Sequence, residues 1–160
     1  MTRPGDARVA AILGVDIGSK RVGLAVAESD GLSTRPLSTI PRAGDVAADA
    51  AAIRAAAARY RLIELVVGLP LEARGNEGPM ADAARAWATA LGVELGLPVT
   101  LRDERLSSHL AESRLGPMPH GRSGGPPSRT QRDRYRERVD REAAAIILQD
   151  ELDARRAAGR

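Results

Sequence analysis

Residues 9–28 read Val9-Ala10-Ala11-Ile12-Leu13-Gly14-Val15-Asp16-Ile17-Gly18-Ser19-Lys20-Arg21-Val22-Gly23-Leu24-Ala25-Val26-Ala27-Glu28, and this stretch decides the fold. Two strand-like runs are separated only by Gly18-Ser19-Lys20, a link so short that the runs pair as a hairpin. The second run alternates: Val22, Leu24 and Val26 fall on one face, and Gly23, Ala25 and Ala27 on the other. A face of Gly and Ala leaves room for close approach by another element, and a helix is the expected one. One acid, Asp16, stands late in the first run, among apolar neighbours.

Outward from the hairpin, the Asp30-Gly31 turn leads to a third strand near Leu32–Ile40, closed by Pro41. The Ala-rich segment from about 45 to 60 reads as a helix with Asp45 as N-cap. Leu62 to Gly68 reads as a buried strand. Asn76 is a candidate cap for a helix that carries Trp87 and runs to about Leu95. Pro98–Asp103 is a short strand and residues 106–115 a short helix. A last helix is expected from about Asp133 or Val139 to near Arg156, with Ala144, Ile147, Leu148 and Leu152 on one face. Before it, Gly and Pro fill eight of the thirteen positions from Gly116 to Ser128, too many for a packed element, so a mobile flap is expected. The order β-β-β-α-β-α-β-α-α predicts an α/β fold. Three antiparallel strands come first, and strand–helix–strand units then add parallel strands through right-handed crossovers. A mixed sheet of this kind flanked by helices is the RNase H-like architecture, here as one domain over residues 1–160.

Composition narrows the chemistry. A chain of 160 residues with 43% hydrophobic content supports a real core, and without Phe that core must be aliphatic. The absence of Cys excludes disulfides and thiolate metal sites, and His109 and His120 are too few for a His-rich zinc site. The apolar stretches fall short of the roughly 20 residues of a membrane span. The start, Met1 to Asp6, lacks the apolar core of a signal peptide, so a cytoplasmic protein is expected. Net charge is +3, yet residues 114–138 hold seven Arg against Asp133 and Glu137. Charge gathered in one segment suits a phosphate-contacting surface; a solvated basic loop would read the same way. Lys20, the only Lys in the chain, directly follows the Asp16 turn.

Three acids stand where they could converge. Asp16 is late in a strand, Glu104 follows another in Arg102-Asp103-Glu104-Arg105, and Asp140 precedes the apolar part of the last helix. Converging carboxylates repel unless a cation lies between them, and hard oxygen ligands suit Mg²⁺ or Mn²⁺. Metal-assisted phosphodiester hydrolysis is the chemistry this suggests. Each acid also has a plain structural reading. Asp16-Ile17-Gly18 resembles turn chemistry and also the phosphate loop of actin-like ATPases, which need two lobes and more than 160 residues. Asp103 and Glu104 beside arginines could be a surface ion pair, and Asp140 could simply favour a helix start. Gly68-Leu69-Pro70-Leu71 with Gly75-Asn76-Glu77-Gly78 could hold a phosphate at a helix start or merely end a strand and cap a helix. Trp87 reads as core or rim packing, while Tyr60 and Tyr135 are ambiguous, Tyr135 being a candidate for stacking on a base.

Four ordered motifs, GVDIGSKRVGLAV (14–26), VVGLPL (66–71), DERLSS (103–108) and VDREAAAIIL (139–148), resemble those of the YqgF family, also called RuvX. These are bacterial RNase H-like proteins described as nucleases of precursor 16S ribosomal RNA or as Holliday junction resolvase homologues. The likeness covers nearly the whole chain, from about residue 12 to 153. It implies catalytic, metal-binding roles for Asp16, Glu104 and Asp140, with two Mg²⁺ or Mn²⁺ ions. Lys20, Arg21 and Arg105 would neutralise phosphate beside the scissile bond, and Arg132, Arg134, Arg136 and Arg138 would bind the nucleic acid. The substrate would be precursor ribosomal RNA or branched DNA, and the chain a monomer or homodimer. Two positions depart from the pattern: Glu72 stands where Asn is frequent, and Arg141 where Ser is common. A nucleic-acid-binding module without catalysis remains the competing reading.

Overall fold

A computed structural model describes residues 5–31, 33–70, 78–103 and 106–159. Five strands form one sheet in the order β3-β2-β1-β4-β5: β1 (Val9–Ile17), β2 (Arg21–Glu28), β3 (Thr34–Pro41), β4 (Tyr60–Leu69) and β5 (Val99–Asp103). β1, β2 and β3 pair antiparallel, and β4 and β5 extend the sheet in parallel from β1. The α/β mixed sheet expected from the sequence is therefore present, with its strands in the expected chain order. The parallel strands β1, β4 and β5 all end at one edge of the sheet, the edge where ligands gather in open α/β folds.

The period-2 alternation of the strands sorts the core into two layers. Ala11, Leu13, Val15, Val22, Leu24, Val26, Leu65 and Val67 turn to one face, where Ala50 and Ile53 of α1 (Val46–Ala56) and Trp87, Ala88 and Leu91 of α2 (Pro79–Leu95) cover them. Ile12, Ala27 and Val66 turn to the other, under Ile147, Leu148 and Leu152 of α4 (Arg129–Ala157). The Gly/Ala face of β2 meets the anticipated helix. Ala25 packs on Ala144 and Ala145, and a Cβ on Gly14 would fall 2.7 Å from the Leu148 Cβ and 2.8 Å from the Ala144 carbonyl oxygen. Small residues here allow backbone to approach backbone. α3 (Ser107–Leu115) lies alongside α4, with Ala111 against Tyr135, Val139, Ala143 and Ile146.

Local signals set the boundaries. Asp45 caps α1, its side chain accepting from the Ala47 N–H. Expected cap Asn76 lies outside the described residues; α2 starts at Pro79 after Gly78. The last helix differs from expectation. It begins at Arg129, because Ser128 and Gln131 form a reciprocal capping box, so the whole arginine run is helical. The stretch before it contains a short 3-10 turn, η1 (Arg122–Gly124), and is tied to α4 where Gln131 Nε2 donates to the His120 carbonyl. No helix among the described residues is long and apolar enough to cross a membrane.

Candidate active site at the end of the first strand

Alternation along β1 turns Asp16 to the α4 side, in line with Ile12 and Gly14, and it is only 7% exposed. Its cross-strand partner is Gly23. A Cβ on Gly23 would lie 2.0 Å from the carbonyl oxygen of Asp140, so at this point β2 carries the α4 backbone directly on its surface. Opposed residues in an antiparallel pair are about 5 Å apart. Asp16 and Asp140, 124 positions apart in the chain, thus come within a side chain's reach of one point, and Gly23 is the small residue that allows it.

Asp140 does not stand at a helix start, as the sequence suggested. It lies about three turns inside α4, beyond the first turn in which a helix dipole stabilises an acid. Its carboxylate is instead held from β2: Arg21 Nε donates to Asp140 Oδ2 at 2.7 Å, with both side chains about three-quarters covered. Arg21 was expected to face phosphate, and in the structure its immediate partner is this acid. Glu104 and Arg105 lie outside the described residues, as does Glu72. The strand leading to Glu104 ends at Asp103, opposite Leu69 at the end of β4. Among the described residues no three acids or histidines gather into a metal-holding group. The donors at the Asp16–Asp140 point are oxygens, the kind a hard dication takes.

The turn that presents Lys20 is anchored from behind. Gly18 N–H donates to the Arg21 carbonyl at 2.8 Å, and Arg42 N–H donates to the Lys20 carbonyl at 2.9 Å. The Arg42 guanidinium donates to the Gly18 carbonyl at 3.2 Å and lies 5.9 Å from the centre of the Trp87 ring. Trp87 Nε1 in turn donates to Asp49 Oδ2 at 3.0 Å, and Asp49 Oδ1 accepts from Ala43 N–H at 2.8 Å. Asp49 is 1% exposed, so these two donors replace the water it has lost. Lys20 itself is exposed. The sequence reading missed both Arg42 and Asp49. A signal existed for Asp49, which occupies a core position in the helical period of Val46, Ala50, Ile53 and Ala57.

Helical periodicity divides the arginines. Arg132 and Arg136 precede Asp140 by eight and four residues, within about 80° of it around the helix. Arg134 and Arg138 lie about 120–160° away from it, on another flank. All four are exposed, and Arg132 Nη1 donates to the Pro127 carbonyl at 2.7 Å. Tyr135, a candidate for base stacking, is only 8% exposed and donates its hydroxyl to the Gly116 carbonyl at 2.7 Å. Its ring is core between α3 and α4. Tyr60 is likewise buried.

Comparison with known proteins completes the picture. The family model described as RuvX, Holliday junction resolvase, matches residues 10–154. A protein of Anaeromyxobacter dehalogenans (strain 2CP-C), named "Putative pre-16S rRNA nuclease", is 49% identical over 143 residues, covering 89% of this chain and 96% of the relative. One from Chloroflexus aggregans with the same name is 41% identical over 145 residues, covering 91% and 94%. Among solved structures, RuvC of T. thermophilus in complex with a Holliday junction substrate shares the fold. Its TM-score is 0.50 at 18% identity, over 91% of this chain and 96% of that one.

Proposed function

Because the chain belongs to the RuvX family of Holliday junction resolvases, with relatives that carry a nuclease name, we propose that it hydrolyses phosphodiester bonds in structured nucleic acid, in processing the 5′ end of precursor 16S ribosomal RNA. The observation that carries this reading is the meeting of Asp16 and Asp140 over Gly23. Two acids have no structural need to share one point beside a strand end, and Arg21 offsets only part of their charge.

In this reading Asp16, Glu104 and Asp140 hold Mg²⁺ or Mn²⁺, most simply two ions, which when bound would activate the attacking water and stabilise the leaving oxygen. The chain's own side chains do the rest. Arg21 orients the Asp140 carboxylate. Lys20 projects from a turn that Arg42 holds still, and with Arg105 it faces the phosphate next to the scissile bond. Arg132 and Arg136 guide the strand toward Asp140, while Arg134 and Arg138 serve a more distant stretch. One folded unit over residues 1–160 carries all of these groups, and the cytoplasm, where ribosomal RNA matures, is its location.

The description of the matching family favours a second substrate, the four-way DNA junction. Symmetric resolution of a junction needs two active sites, hence a homodimer. A cleavage assay with the purified chain decides between them. It compares a precursor 16S RNA fragment, a single-stranded RNA and a DNA four-way junction, each with Mg²⁺, Mn²⁺ or chelator. The expected result is cleavage of the precursor, lost in chelator. Cleavage of the junction alone transfers the reading to DNA. Binding without cleavage under every condition leaves a non-catalytic module and overturns it.

A further inference from the structure

The crease between α3 and the arginine-rich half of α4 holds a cavity of about 370 Å³, lined by His109, Glu112, Ser113, Gly116, Pro117 and Tyr135. Its floor is set by packing: the Tyr135 ring is buried and its hydroxyl is committed to the Gly116 carbonyl. Its rim is uncommitted. The His109 imidazole, the Glu112 carboxylate and the Ser113 hydroxyl make no side-chain hydrogen bond or ion pair among the described residues. Arg114, on about the opposite side of α3 from Glu112, pairs with Glu142 of α4 at 3.1 Å. The α3–α4 seam is thus closed by an ion pair on one flank and open on the other.

The open flank has a direction. Tyr135 lies between Arg132 and Arg136, the two arginines whose row continues to Asp140. From Tyr135 to Asp140 is about 7.5 Å along the helix axis, a short step along a nucleic-acid strand. A phosphate chain guided by Arg132 and Arg136 toward Asp140 would therefore pass the mouth of the cavity.

We propose that this cavity receives an unpaired nucleobase flanking the scissile phosphate and that it selects guanine. The inference rests on the reading of the chain as a nuclease with its centre at Asp16 and Asp140. The imidazole of His109 offers a flat face on which a base can stack, a common device in recognition of unpaired RNA. Glu112 offers two acceptor oxygens side by side. Guanine alone among the four bases carries two adjacent N–H donors on its pairing edge, at N1 and the 2-amino group. Adenine and cytosine set a ring-nitrogen acceptor beside their single amino group. Uracil flanks its one N–H with two carbonyls, which a carboxylate repels. In a duplex this edge is occupied, so the cavity reads only an unpaired base.

The test uses the full chain in chelator, so that binding is read without cleavage. Fluorescence anisotropy compares a labelled uridine octamer with the same octamer carrying one central guanosine. The wild-type chain binds the guanosine version about tenfold more tightly, the size of one good two-bond base contact. Glu112→Gln removes the preference and leaves the uridine octamer's affinity unchanged. Equal, salt-sensitive binding of both octamers by the wild type overturns the pocket and leaves the nuclease reading standing. No binding of either at low salt overturns both. An independent arm follows the imidazole signals of the chain's two histidines by NMR. Guanosine monophosphate shifts His109 and leaves His120 in place, and uridine monophosphate shifts neither. An unmoved His109 at saturating guanosine monophosphate overturns the site. A shift there without guanosine preference in the octamers overturns its assignment to a strand.

Discussion

The two halves of α4 share one helix and little else. From Arg129 to Val139 only Tyr135 and Val139 are buried, and they rest on α3 rather than on the sheet. From Asp140 onward Ala143, Ala144, Ala145, Ile146, Ile147, Leu148 and Leu152 are buried, most of them over β1, β2 and β4. The C-terminal half is clamped again at its far end. Arg155 donates through both terminal guanidinium nitrogens to Glu64 of β4, and its Nε donates to Glu151 at 3.0 Å. Glu151 also receives Arg102 of β5 at 3.2 Å. One half is an anchor and the other a projecting row of cations. Asp140 lies at the join, where the backbone is held by the sheet and the side chain still reaches solvent. An acid meant to meet a substrate needs both conditions.

Breaking the join should have the largest effect. Asp140→Asn keeps the shape of the side chain and removes a charge at the point shared with Asp16. If the acids act as one metal site, cleavage falls about a thousandfold, the equivalent of roughly 4 kcal/mol of transition-state stabilisation. Asp16→Asn should behave alike. Nucleic-acid binding should be unchanged or tighter, because repulsion of phosphate falls. Single-turnover cleavage rates beside anisotropy measure both quantities. Near-wild-type cleavage by either variant would remove that residue from the site.

Breaking the anchor should change stability instead. Leu148 is fully buried against β1 near Gly14. Leu148→Ala is expected to cost about 2–5 kcal/mol, read as a lower urea midpoint. Cleavage per folded molecule should fall far less than in Asp140→Asn. Among the arginines of the other half, Arg134→Ala should leave the midpoint within about 0.5 kcal/mol. Equal losses at Leu148 and Arg134 would dissolve the contrast between the halves.

How much of this was legible in the sequence follows the same division. The hairpin, the strand order and the helix that covers the Gly/Ala face were readable because period-2 and period-3.6 patterns are local properties of the chain. The start of α4 was missed because a low-hydrophobicity helix has no apolar stripe to announce it. The sign was a Ser128–Gln131 box placed just after two prolines. The Arg21–Asp140 pair spans 119 positions, and no local pattern marks a partner at that range. Gly23 was legible as a place of close approach, but what approaches it, the Asp140 carbonyl, is a fact of tertiary packing. Glu64–Arg155 was hidden for the same reason.

That last pair gives the anchor a pH signature. The Arg155 guanidinium, by hydrogen bonding, outweighs burial and with Thr100 holds the Glu64 carboxyl below the ordinary glutamate value. A depressed folded-state value contributes stability that is fully present above the unfolded value of about 4.3 and is lost as pH falls through the folded one. Glu64→Gln should therefore cost about 1 kcal/mol at neutral pH, since the pair is partly open to solvent. The gap from wild type should close below the folded-state value. Urea titrations at pH 7 and at pH 3 test this, and a gap of the same size at both would mean that charge plays no part in the clamp.

The smallest expected effect sharpens the contrast within the projecting half. Arg132 and Arg136 share a side of α4 with Asp140, and Arg134 and Arg138 do not. All are exposed, so neither pair should matter for folding. Phosphate contacts reveal themselves by counterion release: each one lost lowers the log–log salt slope by about 0.9 on duplex or 0.7 on single strands. The double variant Arg132→Ala/Arg136→Ala should lose up to two such contacts on a short substrate that spans only the cleavage point. Arg134→Ala/Arg138→Ala should leave that slope unchanged and lower it only on a longer substrate that wraps to the second flank. Phosphate contacts carry no sequence information, so neither variant should alter base preference, which separates this surface from the His109–Glu112 cavity. If both double variants lower the slope equally on the short substrate, the strand does not follow the Arg132–Arg136–Asp140 row, and the path onto the acids must run across the helix rather than along it.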